Sequence, residues 1–89
     1  MNSGSTLLER FVDDELNGYI RAILENAFAE RMRSENVLVR AFEFNCFDVT
    51  LDFENNVVTL EDVLFAGDGS AVDMPMCDFV VTCNLNVAC

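Results

Sequence analysis

A clean alternation of apolar and polar residues between Cys46 and Glu54 constrains the fold of this chain most strongly. Apolar side chains occupy the odd positions from Phe47 to Phe53, and acidic residues or threonine occupy the even positions from Asp48 onward. A period of two is typical of a β-strand with one buried face and one solvated face. We therefore expect the remaining chain to supply the layer that covers the buried face.

Strands are also predicted on both sides of this segment. Asn55-Asn56 follows it, and asparagine tolerates the positive φ of a tight hairpin turn, so a return strand is predicted over Val57–Phe65. The apolar parity of that strand shifts at Glu61-Asp62. An earlier strand is predicted over Val37–Phe44, and a parity change at residues 45–46 indicates a bulge or a tight turn between the first two strands.

The N-terminal part of the chain carries a helical pattern. Thr6 and Glu9 fit a capping box, which predicts that the helix starts at Thr6 after a loose terminus at residues 1–5. Apolar residues then recur at steps of three and four up to Phe28, and the pattern keeps its phase across Gly18. We predict a helical region over residues 6–33 that forms one helix or a pair kinked at Gly18, although Gly18 also fits a cap between two helices.

The C-terminal part is predicted to be a loop followed by a strand. Residues 66–76 contain turn-forming residues and end at Pro75. From Cys77 to Val87 apolar residues again alternate with polar ones, with Val80 as the exception. The sequence thus predicts one α+β domain over residues 1–89, in which the N-terminal helix packs on an antiparallel sheet of about four strands within residues 37–88.

Length and hydropathy favour a small folded protein. The chain has 89 residues, of which 52% are hydrophobic, including eight phenylalanines, which is too apolar for a disordered chain. An apolar run of about 18 residues is absent from the sequence, so we predict no membrane span. The first residues lack the basic and apolar regions of a secretory signal, and a cytoplasmic location is therefore expected.

Charge is distributed very unevenly along the chain. The net charge is −11, and all five basic residues are arginines within residues 1–40, where seven acidic residues leave a net charge of −2. Residues 41–89 contain nine acidic residues and no basic one. A field of this sign repels nucleic acid and anionic membranes and attracts basic protein surfaces.

Most catalytic constellations are missing from the sequence. The chain has no histidine and no lysine, which removes Ser-His and Cys-His pairs, histidine metal sites and a phosphate-binding lysine. Carboxylates on a solvated strand face are ionised at neutral pH and therefore make poor general acids. We therefore predict that the protein is not an enzyme and that it needs no cofactor.

Four cysteines and one glycine-rich loop leave alternatives open. Cys46, Cys77, Cys83 and Cys89 form no CxxC pair, so they fit small core residues better than a zinc site. The other options are a disulfide such as Cys46–Cys77 or an intermolecular bridge through Cys89. Residues 67–70 with Asp73 weakly match a calcium loop but lack its closing glutamate, which favours an ordinary loop.

Acidic residues on the solvated side of the sheet are the main functional candidates. Like charges on neighbouring strands destabilise a sheet, and no cation after Arg40 offsets them. The candidate partner-binding residues are Asp48, Asp52, Glu54, Glu61, Asp62 and Asp78. The pattern predicts an inhibitor of a basic protein such as a nuclease or another nucleic-acid-binding protein, of the toxin-immunity or phage anti-defence type.

Two other interpretations stay open, one for the acidic composition and one for the predicted C-terminal strand. A high charge also serves solubility, or adaptation to a salty cytoplasm. The second concerns assembly, because the predicted C-terminal strand would expose a sheet edge and an apolar face through which the chain forms a homodimer.

Overall fold

The computed structural model describes residues 3–63 and 71–87. Three helices and four strands follow one another in these two ranges. They are α1 (Ser3–Asp14), α2 (Gly18–Arg33), β1 (Val39–Glu43), β2 (Phe47–Asp52), β3 (Val57–Asp62), β4 (Ala71–Pro75) and α3 (Met76–Thr82). This is the predicted α+β class with a four-stranded antiparallel sheet. Among the described residues no helix is both long and apolar enough to span a membrane.

The helical region consists of two helices with a break at residues 15–17. The Leu16 N–H donates to the Phe11 carbonyl oxygen over 2.9 Å, which closes the end of α1. Asn17 then starts α2, because its Oδ1 accepts the Ile20 N–H at 2.9 Å. The single-helix and kinked-helix alternatives are therefore wrong, and so is the cap at Thr6, since α1 begins at Ser3.

The strands form a meander in the order β1-β2-β3-β4, and each pairs antiparallel with the next. A tight turn joins β1 to β2, as the parity change at residues 45–46 predicts, and the Phe44 N–H donates to the Phe47 carbonyl oxygen across it. The β2–β3 hairpin uses Asn56 at φ 58°, which confirms the left-handed asparagine. Its turn is longer than the Asn55-Asn56 pair, since β2 already ends at Asp52.

The C-terminal prediction is wrong in two respects. The fourth strand is β4, which lies within the predicted loop, and the predicted strand from Cys77 begins instead as helix α3. The buried residues of this segment are Met76, Phe79, Val80 and Cys83. Phe79, Val80 and Cys83 lie three, four and seven positions after Met76, which places all four on one side of a helix. The apolar residues at Cys77 and Phe79 also fit a period of two, and this led to the strand prediction.

One face of the sheet is covered by the helices. Phe47, Val49 and Leu51 of β2 are fully buried there, as predicted, together with Val58 and Leu60 of β3. Phe11 of α1 lies at the centre of this core, with its ring 5.5 Å from that of Phe47 and 6.0 Å from that of Phe79. The helices thus all contribute to one apolar layer, and we call the opposite side, which no described helix covers, the open face.

Candidate functional site

The open face of the sheet carries three of the six predicted partner-binding residues. Residues paired across antiparallel strands point to the same face, so Glu43 of β1, Asp48 of β2 and Glu61 of β3 form one line across three strands. We call these three residues the acidic row. Directly opposed side chains have Cβ atoms about 4.5–5.5 Å apart, so the row places three carboxylates close together.

Two further carboxylates extend the acidic surface. Asp52 lies on the open face at the end of β2, opposite Val39 and Val57. Asp73 of β4 lies opposite Thr59, whose hydroxyl donates to the Asp73 carboxylate at 2.6 Å. The open face therefore presents five carboxylates on four strands.

Asp52 is held in its ionised form by the hairpin turn. The side-chain amide of Asn55 donates to one carboxylate oxygen at 2.9 Å, and the Asn55 backbone N–H donates to the other at 3.1 Å. The Asn55 side chain, followed by the Asn55 backbone N–H, lowers the pKa of Asp52 below its ordinary value. The carboxylate consequently keeps its charge further into the acidic range.

The arginines of the chain lie elsewhere. Four of them are in α1 or α2, and Arg40 of β1 shares the covered face of the sheet with Leu51, where its Nε lies 3.5 Å from Glu30 Oε1. Arg21 donates to the Cys83 carbonyl oxygen, and Arg31 donates to the carbonyl oxygens of Glu35 and Val37. Within the described part of the sheet, the open face thus has five carboxylates and no arginine.

Three of the six predicted residues lie outside this face. Asp62 does not lie on the open face, because it is only 2% exposed and pairs with Arg10 on the covered side of the sheet; its contact with a partner stays a prediction. Asp78 does not join the open face either, since it lies in the first turn of α3, whose Phe79 packs in the core. Glu54 is exposed in the turn after β2, at the end of the sheet. Asp48 and Asp52 lie on the open face as predicted, and Glu61 also lies there.

Sequence reasoning missed Glu43 and Asp73. The parity of Glu43 within Val37–Phe44 offered a signal, since it places the side chain opposite to Phe42 and Phe44. Asp73 had no such signal because its segment contains turn-forming residues and a proline. Its position depends on the pairing of β4 with β3, which is a contact between distant parts of the chain.

The cysteines give no sign of a redox or metal centre among the described residues. Cys46 and Cys83 are free thiols, so the alternative Cys46–Cys77 disulfide is not formed. Burial raises the pKa of the Cys83 thiol to about 12, which keeps it protonated and unreactive at neutral pH. No group of three or more possible metal ligands occurs in residues 3–63 and 71–87. Cys89 and the weak calcium-loop match at residues 67–70 lie outside the described residues.

A separate groove opens on the helical side. It has a volume of about 590 Å³ and lies beside the C-terminal half of α2. Its apolar lining includes Phe28, Met32 and Met76, and Arg31 and Arg33 also line it. None of the acidic row lines it, so the groove and the open face are distinct surfaces.

Comparison with family models, with curated proteins and with solved structures finds no match to this chain.

Proposed function

We propose that the protein is an inhibitor that binds the basic surface of a partner protein through the open face of its sheet. The observation that carries this proposal is the acidic row, in which Glu43, Asp48 and Glu61 are directly opposed on an open face without arginine. Directly opposed like charges destabilise a sheet by up to about 1 kcal/mol per pair. Lysine or arginine side chains of a partner would offset this repulsion and so stabilise the bound state.

The class of partner follows from the chemistry of the surface. Proteins that bind nucleic acid carry clefts lined with lysine and arginine, which are shaped to receive a chain of phosphates. A rigid sheet that displays carboxylates on neighbouring strands offers such a cleft a comparable set of negative charges. We therefore propose a nuclease or another nucleic-acid-binding protein as the target, in a toxin-immunity or phage anti-defence role. Electrostatic attraction would accelerate association, and added salt would slow it.

A charge-matched pair of variants tests the proposal. The row variant Glu43→Gln, Asp48→Asn, Glu61→Gln removes three charges from the open face. The control variant Glu9→Gln, Asp14→Asn, Glu35→Gln removes three exposed charges from α1 and from the connection after α2. Both variants have the same net charge, so any difference between them reports position and not total charge.

Tagged wild-type protein is used to capture binding proteins from the native lysate at low and then at moderate salt. We expect the tagged protein to capture one basic protein at about one-to-one stoichiometry and to release it when salt is added. The control variant should capture the same protein. The row variant should lose at least tenfold in affinity, measured by calorimetry with the purified partner. Equal affinity of the row and control variants would exclude the open face as the binding site.

The homodimer interpretation loses its original basis. It relied on an exposed C-terminal strand, and residues Met76–Thr82 form α3 instead. A dimer through another surface remains a proposal that light scattering at high protein concentration tests directly. If the charge served solubility alone, the tagged protein would capture no partner, and neither variant would differ from the wild-type protein in capture.

A further inference from the structure

The outer edge of β1 presents backbone groups to which no strand within residues 3–63 and 71–87 bonds. The residues on either side of β1 show which positions bond to β2. The Phe44 N–H donates to the Phe47 carbonyl oxygen at 2.9 Å, and the Leu38 carbonyl oxygen accepts from the Phe53 N–H at 2.8 Å. Because bonded positions alternate in an antiparallel ladder, even-numbered residues of β1 bond to β2. The N–H and C=O groups of Val39, Ala41 and Glu43 therefore point away from the sheet.

This edge has few of the features that normally protect an edge strand. Exposed edges are usually blocked by proline, by a bulge or by lysine side chains, and β1 has none of these. Arg40 is its only basic residue, and it lies on the covered face near Glu30, with one contact from its Nη1 to the Val39 carbonyl oxygen at 3.3 Å. In contrast, β4 at the other side of the sheet ends in Pro75.

The side chains of this edge strand are apolar apart from Arg40 on the covered side and Glu43 on the open side. Phe42 and Phe44 stack with ring centroids 6.0 Å apart and are only partly buried. Leu38 and Val39 are 45% and 46% exposed at the start of the strand. On the open face the acidic row runs from Glu61 through Asp48 to Glu43. It ends at Glu43 because β1 is an edge strand of the described sheet. The next position along the row belongs to whatever strand is added to β1.

We infer that an extended segment of the basic partner adds to β1 as an antiparallel fifth strand. The inference rests on the proposed function and names the kind of segment that the site accepts. Glu43 would exchange both backbone hydrogen bonds with the directly opposite residue, whose side chain shares the open face. A lysine or arginine there continues the acidic row with the opposite charge. In the added segment, the residues between the basic ones face the covered side and are apolar, so that they pack against Phe42.

Backbone methylation of a probe peptide tests this geometry. The probe is an acetylated and amidated nine-residue peptide in which lysine alternates with valine. In the proposed register the lysine N–H groups bond to β1, and the valine N–H groups point away from it. N-methylation of the lysines should therefore reduce affinity at least tenfold, whereas N-methylation of the valines should leave it nearly unchanged. Both methylated peptides carry the same charge, so charge attraction alone gives them equal affinity.

Amide hydrogen exchange and a proline variant provide the complementary measurements. With saturating valine-methylated peptide, the amide protons of Val39, Ala41 and Glu43 should exchange at least tenfold more slowly. Ala41→Pro removes an outward N–H without removing a β1–β2 bond, and should weaken peptide binding at least tenfold. The peptide comparison on the wild-type protein stands even if this variant fails to fold.

Three results would overturn the inference. Equal binding of the two methylated peptides would place them on the open face by charge alone, which rejects the added strand and leaves the proposed function standing. Slowed exchange in β1 on raising the protein concentration, without peptide, would make a second copy of this chain the occupant. Absence of any peptide binding at low salt also rejects the added strand, and the capture experiment with the whole partner then decides the proposed function separately.

Discussion

Arg10 and Asp62 connect α1 to the end of β3. The Asp62 side chain is buried on the covered face, and the Arg10 side chain that pairs with it is 42% exposed. The Arg10 guanidinium also lies over the Phe47 ring, 5.7 Å from its centroid. A buried carboxylate in an apolar layer is stable only when its charge is compensated, so this pair holds the helix in register with the sheet.

Replacing Arg10 with alanine is expected to lower the free energy of unfolding by about 1–3 kcal/mol, less than for a fully buried pair because the arginine is half exposed. Urea denaturation measures this loss. Arg33→Ala is the matched control, since Arg33 is exposed and forms no hydrogen bond or ion pair with the described residues; it should change stability by about 0.5 kcal/mol. Similar losses for both variants would contradict the role of the pair.

Asp62 also shows where sequence patterns stop being informative at the residue scale. An acidic residue followed by Val63 and Phe65 indicates a parity shift that returns Asp62 to solvent. The structure keeps the parity of β3 through Asp62, and Val63 is 44% exposed. The deciding contact comes from Arg10, which is 52 positions away in the chain and produces no local periodicity.

At the scale of elements, the break between α1 and α2 determines how the helices cover the sheet. Asn17 caps α2 through its side chain, and Gly18 begins the helix. A Cβ at Gly18 would meet no atom within 4 Å, so an alanine fits there. The two neighbouring residues thus make opposite contributions to the stability of α2.

Asn17→Ala is expected to lower stability by about 1 kcal/mol because the Ile20 N–H loses its acceptor. Gly18→Ala should raise stability by about 0.4–1 kcal/mol because alanine restricts the unfolded chain. Thermal and urea denaturation of the two variants measure both changes. Destabilisation by Gly18→Ala would indicate that the start of α2 has a different backbone conformation.

Local patterns predicted β2 well and the C-terminal segment poorly. β2 has polar and apolar residues in strict alternation, so only a strand satisfies its pattern. The segment from Met76 to Cys83 is apolar at six of eight positions, and it therefore fits a period of two and a period of 3.6. The helix begins directly after Pro75, and packing of Phe79 against Phe11 stabilises it.

At the scale of the whole molecule, the carboxylates repel one another across the open face. The net charge of −11 is carried without a single lysine, and the described ion pairs, Arg10–Asp62 and Arg40–Glu30, lie away from the acidic row. Self-repulsion of this kind destabilises the compact state and is weakened by salt. The surface proposed to bind a partner is therefore also a source of instability in the free protein.

The row variant should consequently be more stable than the wild-type protein, by about 1 kcal/mol at low salt. The difference should shrink in about 1 M NaCl, where charges are screened beyond roughly 3 Å. Thermal denaturation across a salt series measures this effect, with the control variant as the reference for net charge. An equal gain in the control variant would show that total charge matters and that the position of the row does not.

The sequence by itself determined the α+β class, the β2–β3 hairpin, the position of Asp48 and Asp52 on a solvated face, and the absence of cations after Arg40. These features depend on local periodicity, turn chemistry and composition, which neighbouring residues encode. Only the tertiary structure decided that Asp62 is buried, that Asp73 joins the open face, and that the last predicted strand is a helix. Each of these depends on contacts between distant segments, because burial and strand pairing are set by the partner that a residue meets and not by the residues beside it in the chain.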